Sequence, residues 1–155
     1  VDRSSRIGVE AELAWQLSPT LGLSANTMLL RARINAFTDE AAAVTYTNVK
    51  PLLTPALLAN AQAAWNPRAE VEVTLSARHV AKSQLANDGN DALVTPAFTM
   101  ADLGAAYTFS LATLRVQVQN IFDATAYASG YTDGTNRYFF PVATRTLLAT
   151  MAVRF

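Results

Sequence analysis

The side chains able to do chemistry are few and spread along the chain. His79 is the single histidine, cysteine is absent, and Glu10 with Glu12 and Glu70 with Glu72 form two carboxylate pairs. Nothing around His79 builds a triad, and without thiols neither nucleophilic sulfur nor a thiolate metal site is available. Carboxylates two apart on a strand point the same way, whereas an acid and a base must address a substrate from opposed positions. Hydrogen bonding from a wall suits them better. Asn87-Asp88-Gly89-Asn90-Asp91 is rich in oxygen ligands but lacks the EF-hand spacing and its closing Glu, so it reads as a loop tip. No catalytic residue, metal site or cofactor is expected. Binding remains: Tyr127, Tyr131, Arg137, Tyr138, Phe139 and Phe140 fall within a short span. That mixture suits an aromatic or anionic ligand, through stacking and charge-assisted hydrogen bonds, and equally a self-packed loop with rim aromatics.

The elements that must carry these residues are constrained by composition. Of 155 residues 51% are hydrophobic and only 15% charged, against roughly 25% charged in an ordinary soluble domain. Twelve basic side chains balance twelve acidic ones, and there is neither a basic patch nor a phosphate-binding glycine motif, so a nucleic-acid partner is not expected. The long uncharged run Pro51 to Pro67 is broken by Pro55 and carries Asn60 and Gln62, short of the continuous apolar stretch a spanning helix needs. The opening Val1-Asp2-Arg3-Ser4-Ser5-Arg6 has neither an initiator Met nor an apolar signal region. A piece of a longer protein is therefore expected.

Alternation with period two runs through nearly the whole chain. Ile7, Val9, Ala11, Leu13, Trp15 and Leu17 alternate with smaller and polar residues, Glu10 and Glu12 among them, as in a strand with two unlike faces. After the turn Ser18-Pro19-Thr20 the pattern resumes from Leu21 to Leu29 and fades at Arg31 and Arg33, where a bulge or strand end is expected. Leu57 to Trp65 alternates again, although its alanines also suit a helix, and Asn66-Pro67-Arg68 closes it. Ala69 to Arg78, Ala97 to Phe109, Leu114 to Gln119 and Thr146 to Phe155 complete about seven strands, spaced as in a β-meander.

The connections alternate short and long, with long ones at Thr38 to Thr54, Ala81 to Val94 and Asp123 to Thr144. Short turns on one rim and long loops on the other are the habit of outer-membrane barrels. Trp15, Trp65, Tyr107, Phe109 and Phe155 then gather near the short-turn edge as an interfacial girdle. A lipid-facing Arg or Lys costs about 2–4 kcal/mol at the bilayer midplane. The row with Glu10, Glu12, Glu70, Glu72, Asp102 and Arg115 is therefore assigned to a lumen and the Leu, Val, Ala and Trp row to lipid. Alternation alone is symmetric, and a lipocalin-type barrel would place the two rows the other way round.

Asn120-Ile121-Phe122-Asp123, then Tyr127 and Tyr131, Arg137-Tyr138-Phe139-Phe140-Pro141, Arg145 and a last strand stopping on Phe155 resemble the C-terminal end of TonB-dependent outer-membrane receptors. Ser5-Arg6-Ile7-Gly8-Val9-Glu10 and Pro51 to Pro55 resemble strand openings of the same family. The chain has Val142 and Thr144 where that family commonly has Gly and Pro. The resemblance implies an all-β, antiparallel, up-and-down transmembrane segment, the C-terminal part of a barrel of about 22 strands around a plug. The plug, the earlier strands and the energy-coupling box would lie outside these residues.

It further implies a non-enzymatic part of a ligand-gated active transporter in the Gram-negative outer membrane, importing a ferric siderophore or similar metal chelate. The partners implied are membrane lipid, the protein's own plug domain, the TonB energy-transducing complex and the outer-membrane assembly machinery. Ligand contacts are expected from Tyr127, Tyr131, Arg137 and Tyr138 in the loop and from Arg78, Gln119 and Asn60 in the upper lumen. Plug contacts are expected from Glu70, Glu72 and Arg115. Phe155, with Val153 and Met151 of its row, is implied as the assembly signal, anchoring of the girdle being the other role open to Phe155. A small self-contained barrel, structural or pore-forming, and a soluble lipocalin-like binding protein fit the same alternation.

Overall fold

Side chains that alternate between two environments need a backbone paired sideways, strand to strand. The computed structural model, which describes residues 3–40 and 42–155, meets that need with twelve strands and, among the described residues, no helix. In chain order these begin with β1 (Arg3–Ser18), β2 (Leu21–Asp39), β3 (Val44–Val49) and β4 (Leu57–Arg68). Next come β5 (Val71–Val80), β6 (Ser83–Gln84), β7 (Val94–Thr95) and β8 (Phe98–Phe109). The last four are β9 (Ala112–Gln119), β10 (Tyr127–Thr132), β11 (Arg137–Pro141) and β12 (Thr146–Val153). The main sheet is an antiparallel meander in the order β1-β2-β4-β5-β8-β9-β12, with β3 added on β2, while β6–β7 and β10–β11 are separate two-stranded pieces. The seven expected strands are all present, the alanine-rich one as β4. β1 does not pair with β12, so the sheet is open and the segment does not close into a small barrel.

Cross-strand register keeps the two faces unmixed. One face carries the row Leu13, Ala25, Ala61, Ala77, Ala101 and the row Leu75, Leu103, Val118, Leu147. The other carries Glu12, Asn26, Asn60, Arg78 and, one level down, Ala14, Ser24, Gln62, Ser76, Asp102. The apolar face lies open, with Ile7 73% and Leu147 70% exposed, far more contiguous apolar surface than a water-facing sheet tolerates. Trp15, Trp65, Tyr107 and Phe109 share this face near the short turns, and Tyr107 stacks on Phe109 at 5.9 Å.

Several boundaries differ from the sequence expectation, each for a local reason. β2 does not end near Arg31 but runs 19 residues to Asp39, and the irregularity sits at Asn35, skipped between Arg3↔Ala36 and Ser4↔Ile34. About 9–11 residues cross a bilayer, so β2 outruns one by nearly half its length and its two faces meet new surroundings there. Arg31 and Arg33 continue the apolar row, while Ala32 and Ile34 on the opposite face are buried in a small core with Val49, Leu85 and Leu93. Asn66-Pro67, expected as a turn, is carried inside β4 as a bulge between Trp65↔Val73 and Arg68↔Val71, a place where Pro's missing N–H costs no ladder bond. The turn is Ala69-Glu70, so Glu70 lies at the rim and only its carbonyl joins the sheet, accepting from Thr108 N–H at 2.8 Å. β12 stops at Val153, and Phe155 lies beyond it, fully exposed. The opening Val1-Asp2 lies outside the described residues.

Asn120 is the largest fully buried side chain, 1% exposed, and takes the left-handed φ of 52° that Asn tolerates better than most residues. Its backbone N–H donates to Asp102 Oδ1 at 2.7 Å, its Nδ2 donates to the carbonyls of Ala124 and Ala143 at 3.0 and 3.4 Å, and its Oδ1 accepts from Ala124 N–H at 2.9 Å. Asp123, also left-handed, accepts from Arg145 N–H at 2.9 Å and faces the Arg145 guanidinium at 3.8 Å. Together they tie the end of β9 to the start of β12 across the longest connection. Replacing Asn120→Ala removes the side-chain bonds, orphans a buried N–H and strains the backbone, a loss of about 3 kcal/mol. The urea midpoint of the protein folded in detergent should fall accordingly, and Asn120→Asp should lose less; equal midpoints for all three would refute this role.

Candidate functional site

The long-loop rim carries the aromatic cluster. β10 and β11 pair through Tyr131↔Tyr138, Gly130↔Phe139 and Thr132↔Arg137, which divides the six side chains between two faces. Tyr131, Tyr138 and Phe140 form one, Tyr131 stacked on Tyr138 at 4.9 Å and tilted against Phe140 at 6.1 Å, all three well exposed. Tyr127 and Phe139 form the other, stacked at 4.4 Å with Arg137 over Phe139 at 5.9 Å. A Cβ on Gly130 would lie 2.6 Å from the Tyr138 carbonyl and 3.0 Å from Leu85. Glycine is thus required where the hairpin leans on the loop before β7. Tyr131 and Tyr138 are therefore brought together as an open platform, and Arg137 and Tyr127 belong to the opposite side.

The hairpin tip is fixed by Asp133, a residue the sequence did not single out. Its carboxylate accepts from Asn136 N–H at 2.7 Å, Asn136 Nδ2 at 3.0 Å, Thr135 N–H at 2.9 Å and the Tyr138 hydroxyl at 3.0 Å. The bonds from Asn136 foremost, then those from Thr135 and Tyr138, hold this carboxyl well below the usual carboxylate range. The Tyr138 phenol is pushed up, first by its hydrogen bond to Asp133 and then by that residue's charge. A depressed carboxyl contributes stability above its ordinary pKa and loses it only as pH falls through the lowered value, so the tip stays closed at pH 4.

The inner wall holds the second group. Asn60 and Arg78 are direct cross-strand partners, and Asn60 Nδ2 donates to Asn26 Oδ1 at 2.9 Å. With Gln62, Ser76 and Asp102 they line a hollow of about 390 Å³ whose upper border is Phe98, Met100 and Val142. Gln119 lies on the same face, exposed, opposite Thr146. Near the short turns Glu72 and Arg115 both lie opposite Ala106, one strand to either side of it. Among the described residues neither they nor Arg78 has an ion-pair partner.

The remaining candidates are occupied by structure. His79 Nδ1 bonds Thr99 Oγ1 at 2.8 Å. In the Asn87–Asp91 loop Asn87 caps Leu52 N–H at 2.8 Å, Asp88 caps Asn90 N–H at 2.9 Å, and Asp91 faces Lys50 at 3.5 Å. No group of three or more metal-ligating side chains occurs among the described residues.

A family model described as TonB dependent receptor-like, beta-barrel, matches residues 1–121. The chain is similar to the ferric-catecholate import receptor Fiu from E. coli K12 in its closed form. There the TM-score is 0.76 with 21% identity, over 96% of this chain and 20% of that one. It is similar also to the ferric yersiniabactin uptake receptor FyuA from Yersinia pestis, with TM-score 0.76, 19% identity, and 98% and 24% of the two chains covered. The unliganded ferric citrate transporter FecA gives TM-score 0.78, 18% identity, and the same two coverages of 98% and 24%. At these identities the likeness is one of fold, and the chain spans 20 to 24% of the length of these three structures. No curated protein matches it.

Asp133→Ala should speed hydrogen exchange at the Thr135 and Asn136 amides, since each loses the carboxylate that accepts its hydrogen bond. In the unmodified protein their protection should persist from pH 7 down to pH 4. Equal exchange in the two proteins, or loss of protection by pH 4, would contradict the role given to Asp133.

Proposed function

This chain belongs to the TonB-dependent receptor-like β-barrel family, and from that membership we propose that it is the C-terminal part of the barrel wall of a ligand-gated active transporter in the Gram-negative outer membrane. The plug domain and the earlier strands belong to the rest of the protein, and import is energised by the TonB complex. The cargo is a ferric siderophore or a similar metal chelate, the kind of ligand for which the structurally similar receptors are named. The segment does no catalysis. The observation that carries the proposal is the unlike pair of faces, one a continuous open apolar surface and the other polar with unpaired charges. Such a sheet fits between hydrocarbon and a lumen occupied by another part of the protein.

In this arrangement Glu72 and Arg115 meet the plug, with Glu70 at the rim below them. Asn60, Arg78 and Gln119 lie above, on the path of an entering ligand. The open platform of Tyr131 and Tyr138 offers the first stacking contact, and Arg137 and Tyr127 hold the hairpin's other face against the neighbouring loop or supply a cation to an anionic chelate. Met151 and Val153 on β12 and the terminal Phe155 are the residues read by the assembly machinery.

Two measurements test this. Ala77 lies on the apolar face, two outward positions in from the girdle level of Trp65 and Val73, and Ser76 lies on the polar one, so Ala77→Arg should impair membrane insertion by about 2–4 kcal/mol while Ser76→Arg should not; equal folded yields in membranes would count against the face assignment. Cells carrying the protein should take up iron-labelled siderophores only when energised. Tyr131→Ala should weaken capture by up to about tenfold, the loss of one stacking contact, and uptake that persists with the gene deleted or the membrane de-energised would remove the transport proposal.

A further inference from the structure

We propose that the outward face over β1, β2, β4 and β5 is a binding site for one phosphate-bearing membrane lipid, its headgroup on Arg31 and Arg33 and an acyl chain along the furrow below. This rests on the barrel-wall function proposed above. The aromatic girdle marks one membrane interface at the level of Trp15. From there β1 climbs to Ile7, about 27 Å along the strand at ~3.4 Å per residue and about 21 Å in height at a tilt of ~40°. The apolar band of such barrels is ~25 Å tall, so the Ile7↔Arg31 pair sits at the opposite interface, where an outward Arg costs ~0–1 kcal/mol instead of its midplane penalty.

Among the described residues Arg31, which is exposed, has no hydrogen-bond or ion-pair partner, and Arg33, one step higher on the same face, donates only to the Ala32 carbonyl at 3.1 Å. Among the described residues no carboxylate occupies the outward rows of β1, β2, β4 or β5 beside them. Two guanidiniums at an interface with no acid of their own suit a phosphate, which accepts their forked donors.

Below Arg31 lies a hollow of about 430 Å³ bordered by Ile7, Val9, Leu29 and Ala56. The next hollow down, about 370 Å³, has Ala11, Ala25, Ala59, Ala61 and Ala77 for a floor and Leu13 on its border. Val9↔Leu29 and Ala11↔Thr27 are successive outward pairs, so the two adjoin as one furrow running about 20 Å down from Arg31 to Ala25. Of its polar members, Glu12, Asn26, Asn60 and Arg78 belong to rows of the opposite face, Thr27 Oγ1 donates to the Leu58 carbonyl at 3.1 Å, and His79 Nδ1 and Thr99 Oγ1 bond each other at 2.8 Å. The outward lining is thus mostly hydrocarbon, with the paired His79 and Thr99 at one side, beneath a cationic head, the shape and charge of a single anionic lipid.

The test uses the full-length protein in non-ionic detergent, titrated with diphosphoryl lipid A and with the same lipid dephosphorylated, bound copies being counted by native mass spectrometry. Saturable binding of one phosphorylated lipid is expected, weakened at least tenfold by dephosphorylation and by the double variant Arg31→Gln, Arg33→Gln, and retained by Arg31→Lys. Ala61→Phe fills the furrow without touching charge and should weaken binding as well. Heat-modifiable migration on gels identifies variants that are folded; if the double variant is not, the comparison of Ala61→Phe with Arg31→Lys decides. A folded, inserted protein that binds both lipids alike, or whose variants bind like the parent, overturns the lipid site alone. Recovery of a protein partner on this face in place of lipid overturns it too. Failure of the unmodified protein to reside in the membrane would instead overturn the barrel-wall function.

Discussion

Against hydrocarbon, no backbone N–H or C=O can be left unpaired, because each costs several kcal/mol there. That constraint forces every strand of the wall into a ladder. Once laddered, a slip of one residue would send each apolar side chain inward and each polar one outward. The register that puts Leu13, Ala25, Ala61, Ala77 and Ala101 in one row therefore also puts Glu12, Asn26, Asn60, Arg78 and Met100 in another. Neither row can be changed without the other. The free edges of β1 and β12 are the places where the constraint is unmet within this segment and where further strands would satisfy it.

Long loops relax the same constraint, since they stand in water, and there local hydrogen bonding takes over. Asn120 and Asp123 pin the feet of the longest connection, Asp133 pins its tip, and Gly130 lets it lean on Leu85. The result places an open pair of tyrosines on the rim and, on the wall beneath, a surface of amides and hydroxyls with Asp102 around Arg78. Under the proposed function, a ligand captured on the rim would descend past Arg78 toward Glu72 and Arg115, the charges proposed for plug contact.

The seven wall strands were legible because alternation is set by burial on each face, a signal that survives even in the alanine-rich β4. It failed where the two environments change. Beyond Leu29 the faces of β2 meet water and packed loops in place of lipid and lumen, so Arg31 and Arg33 read as an ending although the strand continues to Asp39. Glu70 followed the alternation but fell in the turn, because Asn66-Pro67 was absorbed as a bulge. The loop aromatics were visible as a group, yet only the pairing of β10 with β11 separates Tyr131 and Tyr138 from Arg137 and Tyr127. Asn120 was noticed as part of a motif, not as a buried hub, and Asp133 carried no signal in its spacing at all.

The central claim is that odd-numbered residues of β5 face lipid and even-numbered ones face the lumen. Because the chain has no cysteine, single cysteines placed in turn from Val71 to Arg78 can carry spin labels in the membrane-embedded protein. Oxygen, which concentrates in hydrocarbon, should relax labels at Val71, Val73, Leu75 and Ala77 strongly and those at Glu72, Thr74, Ser76 and Arg78 weakly, in strict alternation. A flat profile, or oxygen maxima on the even positions, would contradict the account.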